Sequence, residues 1–492
     1  MGNRFVQGFN RDAANCRKLA FGGLWVGSLH GYPAIKTSYQ DMLKPTVFRE
    51  YDIRGVADIE FPDEGITLLG QAIGTLLERR AGRKITLGRD TRLSSPRLRD
   101  ALIRGLVASG CEVTDIGVVP TPVLYYSVFH LAAAGGVMIT GSHNPSEFNG
   151  FKVVCGDSTI HGETIQELRG LMESGDLAHA EGREINRDIV PAYVEQVASQ
   201  FQFPRRVRVV VDAGNGTGGP VMHRILELLN VDATEMFFEM DGHFPNHHPD
   251  PTVPKNLEAL IAKVRDTKAD LGIAFDGDTD RIGAIDDQGN IIYGDQLMIL
   301  YAREILTRKP DATFIGEVKC SQLLYDDIAA RGGNPIMWKT GHSLIKAKMK
   351  ETKAALAGEM SGHMFFADRY YGFDDALYAA CRLIEIVANS NKPLSQHLAD
   401  LPKTVTTPEI RFDCPDEHKF EVVRRAAEVL RSRYKTSDVD GVRVLFEQGW
   451  GLVRASNTQP VLVMRFEATS EELLRQYREE VESVVNQAVG GR

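Results

Sequence analysis

Two short polar runs combine residue types that could do chemistry together. The first, residues 140–145 (TGSHNP), offers Ser142 soon after the apolar residues 137–139 (VMI), so we expect the serine at the tip of a buried strand. The second, residues 276–281 (DGDTDR), places three carboxylates at alternate positions beside an arginine. A hydroxyl that can carry phosphate and a carboxylate trio that can hold a divalent cation together predict phosphoryl transfer.

Ser142 stands among side chains that would support a phosphorylated hydroxyl. His143, Asn144 and Lys152 supply donors, and the apolar start at Phe151 indicates a second strand that aims Lys152 back at the serine loop. A lysine beside a serine can take its proton or neutralise a phosphate on it. The hydrolase motif GxSxG is absent from this stretch, which disfavours acyl chemistry. The alternative is a serine that merely occupies a tight turn.

The carboxylate trio consists of Asp276, Asp278 and Asp280, and its spacing also suggests a calcium-binding EF-hand loop. That interpretation fails in detail, because the sixth position is Arg281 instead of glycine and the twelfth is Asp287 instead of glutamate. Three carboxylates with room for a phosphate oxygen suit Mg²⁺, and Arg281 could reach the same phosphate. A solvated acidic turn is the alternative, but three like charges on one turn repel each other unless a cation neutralises them.

Two further loops carry polar side chains suited to a phosphorylated sugar. In residues 358–363 (GEMSGH), Glu359 and Ser361 are two positions apart on an extended loop, so they should face the same way as acceptors for vicinal hydroxyls. A helix cap is the alternative there. Residues 454–460 (RASNTQP) combine one cation with three short polar side chains and predict a phosphate clamp.

Two other patterns suggest different chemistry. Residues 214–219 (GNGTGG) follow an apolar strand and fit the dinucleotide motif GxGxxG, with Glu235 and Glu239 near the position of the acid that a nicotinamide site needs. We interpret this run as a structural turn, because nothing downstream suggests hydride chemistry. Residues 243–251 (HFPNHHPDP) are rich in histidine, but their three prolines remove the regular spacing of a metal site.

The composition is that of an ordinary globular protein. The chain has 492 residues, 43% hydrophobic and 25% charged, with a net charge of −9. This acidic balance predicts no nucleic-acid partner and no anionic membrane partner, while a local cationic cluster can still bind a small phosphate. Six scattered cysteines without a CxxC pair predict free thiols in a reducing compartment. Without a long apolar run or a secretory signal pattern, we expect a cytoplasmic protein.

Alternating strand and helix patterns must position these loops. A βαβ rhythm that restarts twice predicts three similar α/β domains with mixed, mostly parallel sheets, and Ser94 and Ser95 should cap a helix that begins at Pro96. The last 90 residues predict an α+β domain with an antiparallel sheet. The predicted domains are residues 42–188, 189–290, 291–402 and 403–492. Residues 1–41 are interpreted as a disordered extension, with an amphipathic transit segment as the alternative.

In this order, the four loops resemble those of the α-D-phosphohexomutases, and the form GEMSGH is closest to the bacterial phosphomannomutase/phosphoglucomutase branch. The opening run at residues 48–55 (FREYDIRG) matches as well, and residues 1–41 have no counterpart. The resemblance implies four domains around a central cleft, a phosphoserine at Ser142, and metal ligation by Ser142, Asp276, Asp278 and Asp280. It places these further residues at the cleft: Tyr51, Arg54, Arg281, Lys319, His342, Glu359, Ser361, Arg454, Ser456, Asn457 and Thr458.

The implied reaction is a reversible phosphoryl transfer between C1 and C6 of mannose and glucose phosphates through a 1,6-bisphosphate. The implied enzyme is a monomeric isomerase that acts on small hexose phosphates, with one Mg²⁺ per site and glucose 1,6-bisphosphate as activator. Because some group must move the hydroxyl proton, we assign catalytic roles to Lys152 and His363, with Arg54 beside them. The rival hypotheses are a nicotinamide-dependent dehydrogenase and a non-catalytic sugar-phosphate binding protein.

Overall fold

The computed structural model describes residues 43–457 and 459–490. The predicted extension at residues 1–41 and the predicted phosphate contact Thr458 therefore lie outside the described residues. Four sheets follow one another along the described chain, three of them mixed and the last antiparallel. This arrangement confirms the predicted fold class. Among the helices that the structure describes, none is both long and apolar enough to cross a membrane.

The first sheet carries the serine loop. Its elements are β1 (Ile53–Val56), α1 (Ala57–Glu60), α2 (Asp63–Arg80), β2 (Lys84–Arg89), α3 (Ser95–Ala108), β3 (Glu112–Val118), α4 (Thr121–His130), β4 (Gly135–Ile139), β5 (Phe148–Cys155), β6 (Ser158–Thr159), α5 (Glu163–Ser174) and β7 (Arg183–Asn186). The strand order is β1-β5-β4-β2-β3-β7, with β6 paired to β5. Every residue of β4 is buried, which explains its continuous apolar sequence as a strand covered on both faces.

The second sheet carries the aspartate loop. Its elements are α6 (Val190–Ala198), β8 (Arg208–Asp212), α7 (Gly218–Leu228), β9 (Asp232–Met236), α8 (Glu258–Thr267), β10 (Leu271–Phe275), β11 (Ile282–Asp286) and β12 (Ile291–Ile292). The strand order is β12-β11-β10-β8-β9, so β12 extends this sheet two residues past position 290.

The third domain has a four-stranded sheet and the fourth an antiparallel one. The third contains α9 (Gly294–Leu306), β13 (Thr313–Glu317), α10 (Gln322–Ala330), β14 (Asn334–Trp338), α11 (His342–Thr352), β15 (Leu356–Gly358), β16 (Met364–Phe366) and α12 (Ala376–Ala388). The fourth contains β17 (Val405–Thr406), β18 (Ile410–Asp413), α13 (Asp416–Arg433), β19 (Lys435–Ser437), β20 (Val442–Phe446), β21 (Gly449–Ala455), β22 (Val461–Ala468) and α14 (Glu471–Gly490).

The first three domains present their functional loops in the same way. In each, a parallel strand is followed by an antiparallel one, and the loop is the turn between them: β4 to β5, β10 to β11, and β15 to β16. The first two sheets contain equal numbers of parallel and antiparallel pairs, and the third contains two parallel pairs and one antiparallel pair, so all three sheets are mixed. The fourth domain places its loop in the β21–β22 hairpin.

The apolar cores show how the domains are joined. One continuous apolar cluster joins the first three domains through residues on α4, α7, α9 and α12. The fourth domain has its own core and meets the third through a small apolar cluster of Val318, Trp450 and Leu452. We conclude that the first three domains share one apolar core and that the fourth has a separate one.

One local prediction was wrong. Helix α3 does begin at the expected place, but neither serine before Pro96 caps it. Asn149 Nδ2 donates to the Ser94 hydroxyl at 2.9 Å, and Ser95 donates to Asp90 Oδ1 at 2.6 Å. The two side chains therefore hold neighbouring loops together instead of satisfying the helix end.

Candidate active site

Ser142 sits on the first turn after β4 and is only 3% exposed. Its backbone adopts a left-handed conformation with φ of 49°, which the hydrogen bond from its N–H to Thr140 Oγ1 (2.8 Å) helps to hold. The hydroxyl donates to Asp276 Oδ2 at 2.9 Å and lies 3.2 Å from His143 Nδ1. The predicted serine loop and aspartate loop therefore meet at the hydroxyl itself.

His143 links the serine to the cation of the second loop. Its Nε2 lies 3.4 Å from the Arg281 guanidinium, and burial together with Arg281 lowers the pKa of His143 well below 6.5. The neutral ring must accept at Nε2, since a guanidinium only donates, so Nδ1 carries the proton and donates to Ser142 Oγ. The hydrogen bonds therefore form a series in which His143 donates to Ser142 and Ser142 donates to Asp276.

A buried arginine that sequence reasoning missed fixes the serine loop. The Arg92 guanidinium donates to the carbonyls of Ser142 (2.8 Å), Asn144 (2.6 Å), Pro145 (2.5 Å) and Phe148 (3.0 Å). Its Nε pairs with Asp90 Oδ2 at 3.1 Å. The guanidinium passes so close to Gly141 that a Cβ there would lie 2.3 Å from Arg92 Nε, which explains the glycine before the serine.

The aspartate loop gathers three buried carboxylates around one lysine. Asp276 Oδ1 accepts from the backbone N–H groups of Asp280 and Arg281, both at 3.1 Å. Lys152 Nζ, on β5, lies 2.7 Å from Asp278 Oδ2 and 2.5 Å from Asp280 Oδ2. Lys152 thus faces the aspartate loop and not the serine hydroxyl that we expected it to reach.

The three carboxylates fit a divalent cation. Ligand oxygens of Asp276, Asp278 and Asp280 all lie within 4.8 Å of one another. Asp278 Oδ1 is buried and has no hydrogen-bond partner among the described residues, and Asp280 Oδ1 faces the His363 ring at 3.4 Å. Burial and the other two carboxylates raise the pKa of Asp276 well above its usual 3.8. A buried carboxylate oxygen without a partner, beside two further carboxylates, is the chemistry that a hard metal ion relieves.

The glycine run at residues 214–219 supports the aspartate loop from behind. The Thr217 N–H donates to the carbonyl of Gly277 at 3.0 Å, and a Cβ on Gly216 would lie 2.6 Å from that same oxygen. A Cβ on Gly218 would meet Thr279 at 2.7 Å. These close approaches account for the glycines, in agreement with our interpretation of the run as a structural turn.

His363 connects the aspartate loop (residues 276–281) with the loop at residues 358–363, which we call the sugar loop. Its Nε2 lies 3.4 Å from Asp280 Oδ1, and its Nδ1 lies 2.8 Å from Glu359 Oε2 and 3.0 Å from Ser361 Oγ. Burial acts to lower the pKa of His363, but the attraction of Asp280 and the hydrogen bonds to both carboxylates raise it to about 9. The carboxylates thus favour the protonated ring, while Arg281 Nε, which donates to the same Nε2 at 3.3 Å, favours the neutral one.

Glu359 and Ser361 point to the same side, with Ser361 Oγ 3.5 Å from Glu359 Oε2. Glu359 also accepts from the N–H of Gly341 at 2.7 Å. Burial opposes its ionisation, but the His363 cation and the Gly341 N–H lower the pKa of Glu359 to about 2. The pair thus offers a fixed carboxylate and a hydroxyl to a ligand in the cleft.

Lys319 extends the same cationic and acidic network toward the fourth domain. Its Nζ lies 3.2 Å from Glu409 and 3.5 Å from the fully buried Glu317. Glu317 in turn accepts from the N–H of Met360 at 3.1 Å, next to the sugar loop. Sequence reasoning missed Glu317, although its position at the end of β13 could have indicated it.

Tyr51 of the first domain contacts the fourth domain. Asn457 Nδ2 donates to the Tyr51 hydroxyl at 2.5 Å, and that hydroxyl donates to the Thr340 carbonyl at 2.9 Å. Arg454 is buried and paired with Asp440 at 2.8 Å. Three domains therefore meet around Tyr51, which lies beside the predicted phosphate clamp.

The remaining predicted residues lie at the edges of this network. His342 stacks on His363 with ring centroids 5.7 Å apart, and burial lowers its pKa well below 6.5. Arg54 pairs with Asp52 at 2.5 Å, close enough for its charge to act on His143. Ser456 is buried, and its hydroxyl accepts from the N–H of Gln459 at 3.2 Å.

Comparison with known proteins gives a consistent result for all four domains. Residues 45–179, 191–289 and 293–405 match the α/β/α domains I, II and III of phosphoglucomutase/phosphomannomutase. Residues 409–484 match the C-terminal domain of the same proteins. The four matches occur in the order in which the sheets follow one another.

Individual relatives are similar over nearly their whole length. A phosphomannomutase/phosphoglucomutase from Pseudomonas putida is 47% identical over 440 residues, which cover 89% of this chain and 95% of the relative. A phosphoglucomutase from Neisseria gonorrhoeae is 42% identical and covers 89% and 96%. The crystal structure of a phosphoglucomutase/phosphomannomutase family protein from Burkholderia thailandensis superposes with a TM-score of 0.86 at 40% identity, covering 92% and 99%.

Proposed function

Because the chain belongs to the α-D-phosphohexomutase family, we propose that Ser142 carries the phosphoryl group that it moves between C1 and C6 of a hexose phosphate. The chain is an enzyme of the isomerase class, like its phosphomannomutase/phosphoglucomutase relatives. One observation carries the assignment of Ser142: its hydroxyl donates to Asp276 Oδ2 at 2.9 Å, within the carboxylate trio.

The proposed cycle uses two half-reactions at one serine. Phospho-Ser142 gives its phosphoryl group to the free hydroxyl of a hexose phosphate, so the Ser142 Oγ–P bond breaks while a sugar O–P bond forms. The 1,6-bisphosphate turns over in the cleft and returns its other phosphoryl group to Ser142. Arg281 and Lys152 offset the charge on the transferring group, and fixed positioning supplies most of the rate.

We propose that Asp276, Asp278 and Asp280, whose ligand oxygens lie close together, hold the metal of this family, with an oxygen on Ser142 as a further ligand. We propose Mg²⁺, because hard carboxylate and phosphate oxygens suit it. When bound, it would supply electrostatic stabilisation of the phosphoryl oxygens. The unpartnered oxygen of Asp278 supports this assignment.

Lys152 and His363 are the proposed proton carriers, with Arg54 beside the serine loop. Asp278 and Asp280 overcome the effect of burial and raise the pKa of Lys152 well above 10.5, and the pKa of His363 is about 9. Both side chains therefore favour the cationic form. In the half-reaction that phosphorylates the sugar, the unprotonated form of one of them takes the proton of the attacking hydroxyl. In the opposite half-reaction the resulting cation returns a proton to the sugar oxygen that leaves the phosphoryl group.

The sugar and its second phosphate would be held by the other loops. Glu359 and Ser361 would accept from the hydroxyls on C3 and C4, which glucose and mannose share. Arg281, Lys319, His342, Tyr51, Arg454, Ser456, Asn457 and Thr458 are the further proposed substrate contacts. Since this recognition ignores C2, both hexoses should be substrates, and glucose 1,6-bisphosphate should activate the enzyme by phosphorylating Ser142.

We also propose that the enzyme is a monomer in the cytoplasm. All the site residues that the structure describes come from one chain, so the proposed chemistry needs no second subunit. Cys111, Cys155, Cys320 and Cys381 are free thiols, as expected in a reducing compartment.

The test combines intact mass with a coupled assay on glucose 1-phosphate and mannose 1-phosphate. Phosphatase should remove about 80 Da from the native protein and nothing from Ser142→Ala. Ser142→Ala should lose turnover but still bind substrate, whereas Ser127→Ala, a buried serine on α4, should behave as native. Native turnover in Ser142→Ala would refute the role of Ser142. A preference of about a thousandfold for one of the two sugars would refute the proposed recognition through C3 and C4.

A further inference from the structure

A cavity lies between the first and third domains, away from the loops described above. Its volume is about 690 Å³, within the usual range for small-molecule sites. The turn between β5 and β6 forms one side, and the C-terminal half of α11 forms another. Among the described residues, none of those proposed to transfer the phosphoryl group, bind the metal or bind the sugar lines this cavity.

One wall of the cavity is aromatic. Phe129 and Tyr371 have ring centroids 5.2 Å apart, and Tyr371 stacks on Phe373 at 5.7 Å. Phe129 is 41% exposed and Tyr371 39% exposed, so both rings present free surface to the cavity or its rim. Exposed aromatic faces gain free energy when a flat ring stacks on them.

The other side of the cavity is cationic. Four lysines line it (Lys309, Lys346, Lys350 and Lys353), against one carboxylate, Asp157. Lys350 pairs with Asp157 across the two domains, and Lys309 pairs with Asp368 at 2.8 Å. The Lys353 side chain makes no ion pair or hydrogen bond with any residue that the structure describes. Because carboxylates already pair with Lys309, Lys346 and Lys350, a ligand with two anionic groups gains most by engaging Lys353 and displacing Asp157 from Lys350.

We propose that this cavity binds a nucleoside diphosphate. The base would stack on the wall formed by Phe129, Tyr371 and Phe373, and the diphosphate would replace Asp157 as the partner of Lys350 and engage Lys353. The aromatic wall alone would take any flat ring, and the lysines alone would take any polyphosphate. Only a ligand with both parts uses all the surfaces that the cavity presents.

Helix α11 places this cavity next to the sugar site. His342, Lys346 and Lys350 recur every four residues, so they lie along one face of the helix. His342 stacks on His363, while Lys346 lies 4.4 Å from the centre of the Tyr125 ring and 3.0 Å from Asp374 Oδ1. A ligand in the cavity therefore contacts the C-terminal end of α11. The first residue of the same helix, His342, stacks on His363.

The experiment is isothermal titration calorimetry of the full chain with ADP, adenosine and pyrophosphate as separate probes. Glucose 6-phosphate at saturating concentration keeps the catalytic cleft filled. We expect ADP to bind under this condition, and adenosine and pyrophosphate to bind at least about tenfold more weakly, because each lacks one recognised part.

Variants locate the binding. Tyr371→Ala should weaken ADP binding roughly 5- to 150-fold, and the double variant Lys350→Glu with Lys353→Glu at least about tenfold. Asp157→Asn should tighten it roughly two- to fivefold, because a competing carboxylate is removed. The matched control is Lys268→Glu, since Lys268 is also an exposed left-handed residue just after a helix, with φ of 51° against 54° for Lys353.

Three results would overturn the proposal. The first is no heat with ADP at millimolar concentration. The second is binding that glucose 6-phosphate abolishes, which would place the nucleotide in the catalytic cleft. The third is binding that Tyr371→Ala, the double lysine variant and Asp157→Asn all leave unchanged, or that pyrophosphate alone reproduces. None of these results depends on whether Ser142 is the phosphoryl carrier.

Discussion

Replacement of Arg92 by lysine should distinguish two roles of this residue, the positioning of the serine loop and the stabilisation of the fold. The arginine side chain makes five hydrogen bonds, to Asp90 and to four loop carbonyls. Lysine keeps the positive charge but has only three donors on one nitrogen, so at least two of the five bonds must be lost. The carbonyl of Ser142 is among the acceptors at risk.

The magnitude follows from the type of bond that is lost. Hydrogen bonds to a charged group contribute about 1.5–3 kcal/mol each, so Arg92→Lys should lower the free energy of unfolding by about 3 kcal/mol or more. A domain stable by about 5–15 kcal/mol stays folded at 25 °C after such a loss. The loosened loop should displace the serine hydroxyl, and a displacement of about 1 Å costs roughly a hundredfold in turnover.

The assay pairs urea denaturation with kcat at 25 °C. Arg382→Lys is the matched control, because Arg382 is equally buried and also makes several hydrogen bonds, to Asp368 and Glu304, but contacts none of the catalytic loops. Both variants should be destabilised, while only Arg92→Lys should lose turnover. Native kcat in a folded Arg92→Lys protein would refute the idea that this guanidinium positions the serine.

Other perturbations test the site and the electrostatics. Removal of divalent cations with EDTA should lower turnover at least about a hundredfold and Mg²⁺ should restore it, whereas an unchanged rate would contradict the metal assignment. Glu359→Gln should lower kcat/KM for both hexose 1-phosphates roughly 10- to 150-fold, because it removes a charged acceptor. Ser361→Ala removes a neutral acceptor and should lower it only about 2- to 12-fold. Equal losses in the two variants would argue against recognition of the sugar hydroxyls by this pair. Burial raises the pKa of Asp375 to about 6 from its usual 3.8, so its ionisation opposes folding as pH rises from 4 to 6. The unfolding free energy of Asp375→Asn relative to native should therefore increase by about 2 kcal/mol over that interval, and a constant difference would contradict the shift.

The sequence predicted the elements and the loops well because both depend on local patterns. The apolar run before Ser142 and the alternating aspartates are readable without any knowledge of distant residues. The α+β domain predicted for the last 90 residues contains two long helices, Asp416–Arg433 and Glu471–Gly490. Their amphipathic period is a property of the helix itself.

What the sequence could not show are contacts between distant segments. Arg92 reads as an ordinary surface arginine, and only the pairing of β2 with β4 brings it under the serine loop. Lys152 was expected to face Ser142, but the packing of the second domain against the first offers it two carboxylates instead. Glu317 is hidden for the same reason, since a strand end shows its partners only after the sheets assemble.

The left-handed backbone at Ser142 has an evolutionary consequence. A non-glycine residue in that region is strained by about 1–2 kcal/mol, and glycine would relieve most of it. Ser142→Gly should therefore melt at a higher temperature than Ser142→Ala while both are inactive. Selection for thermal robustness alone would favour glycine at this position, so a serine there serves reactivity at a cost in durability.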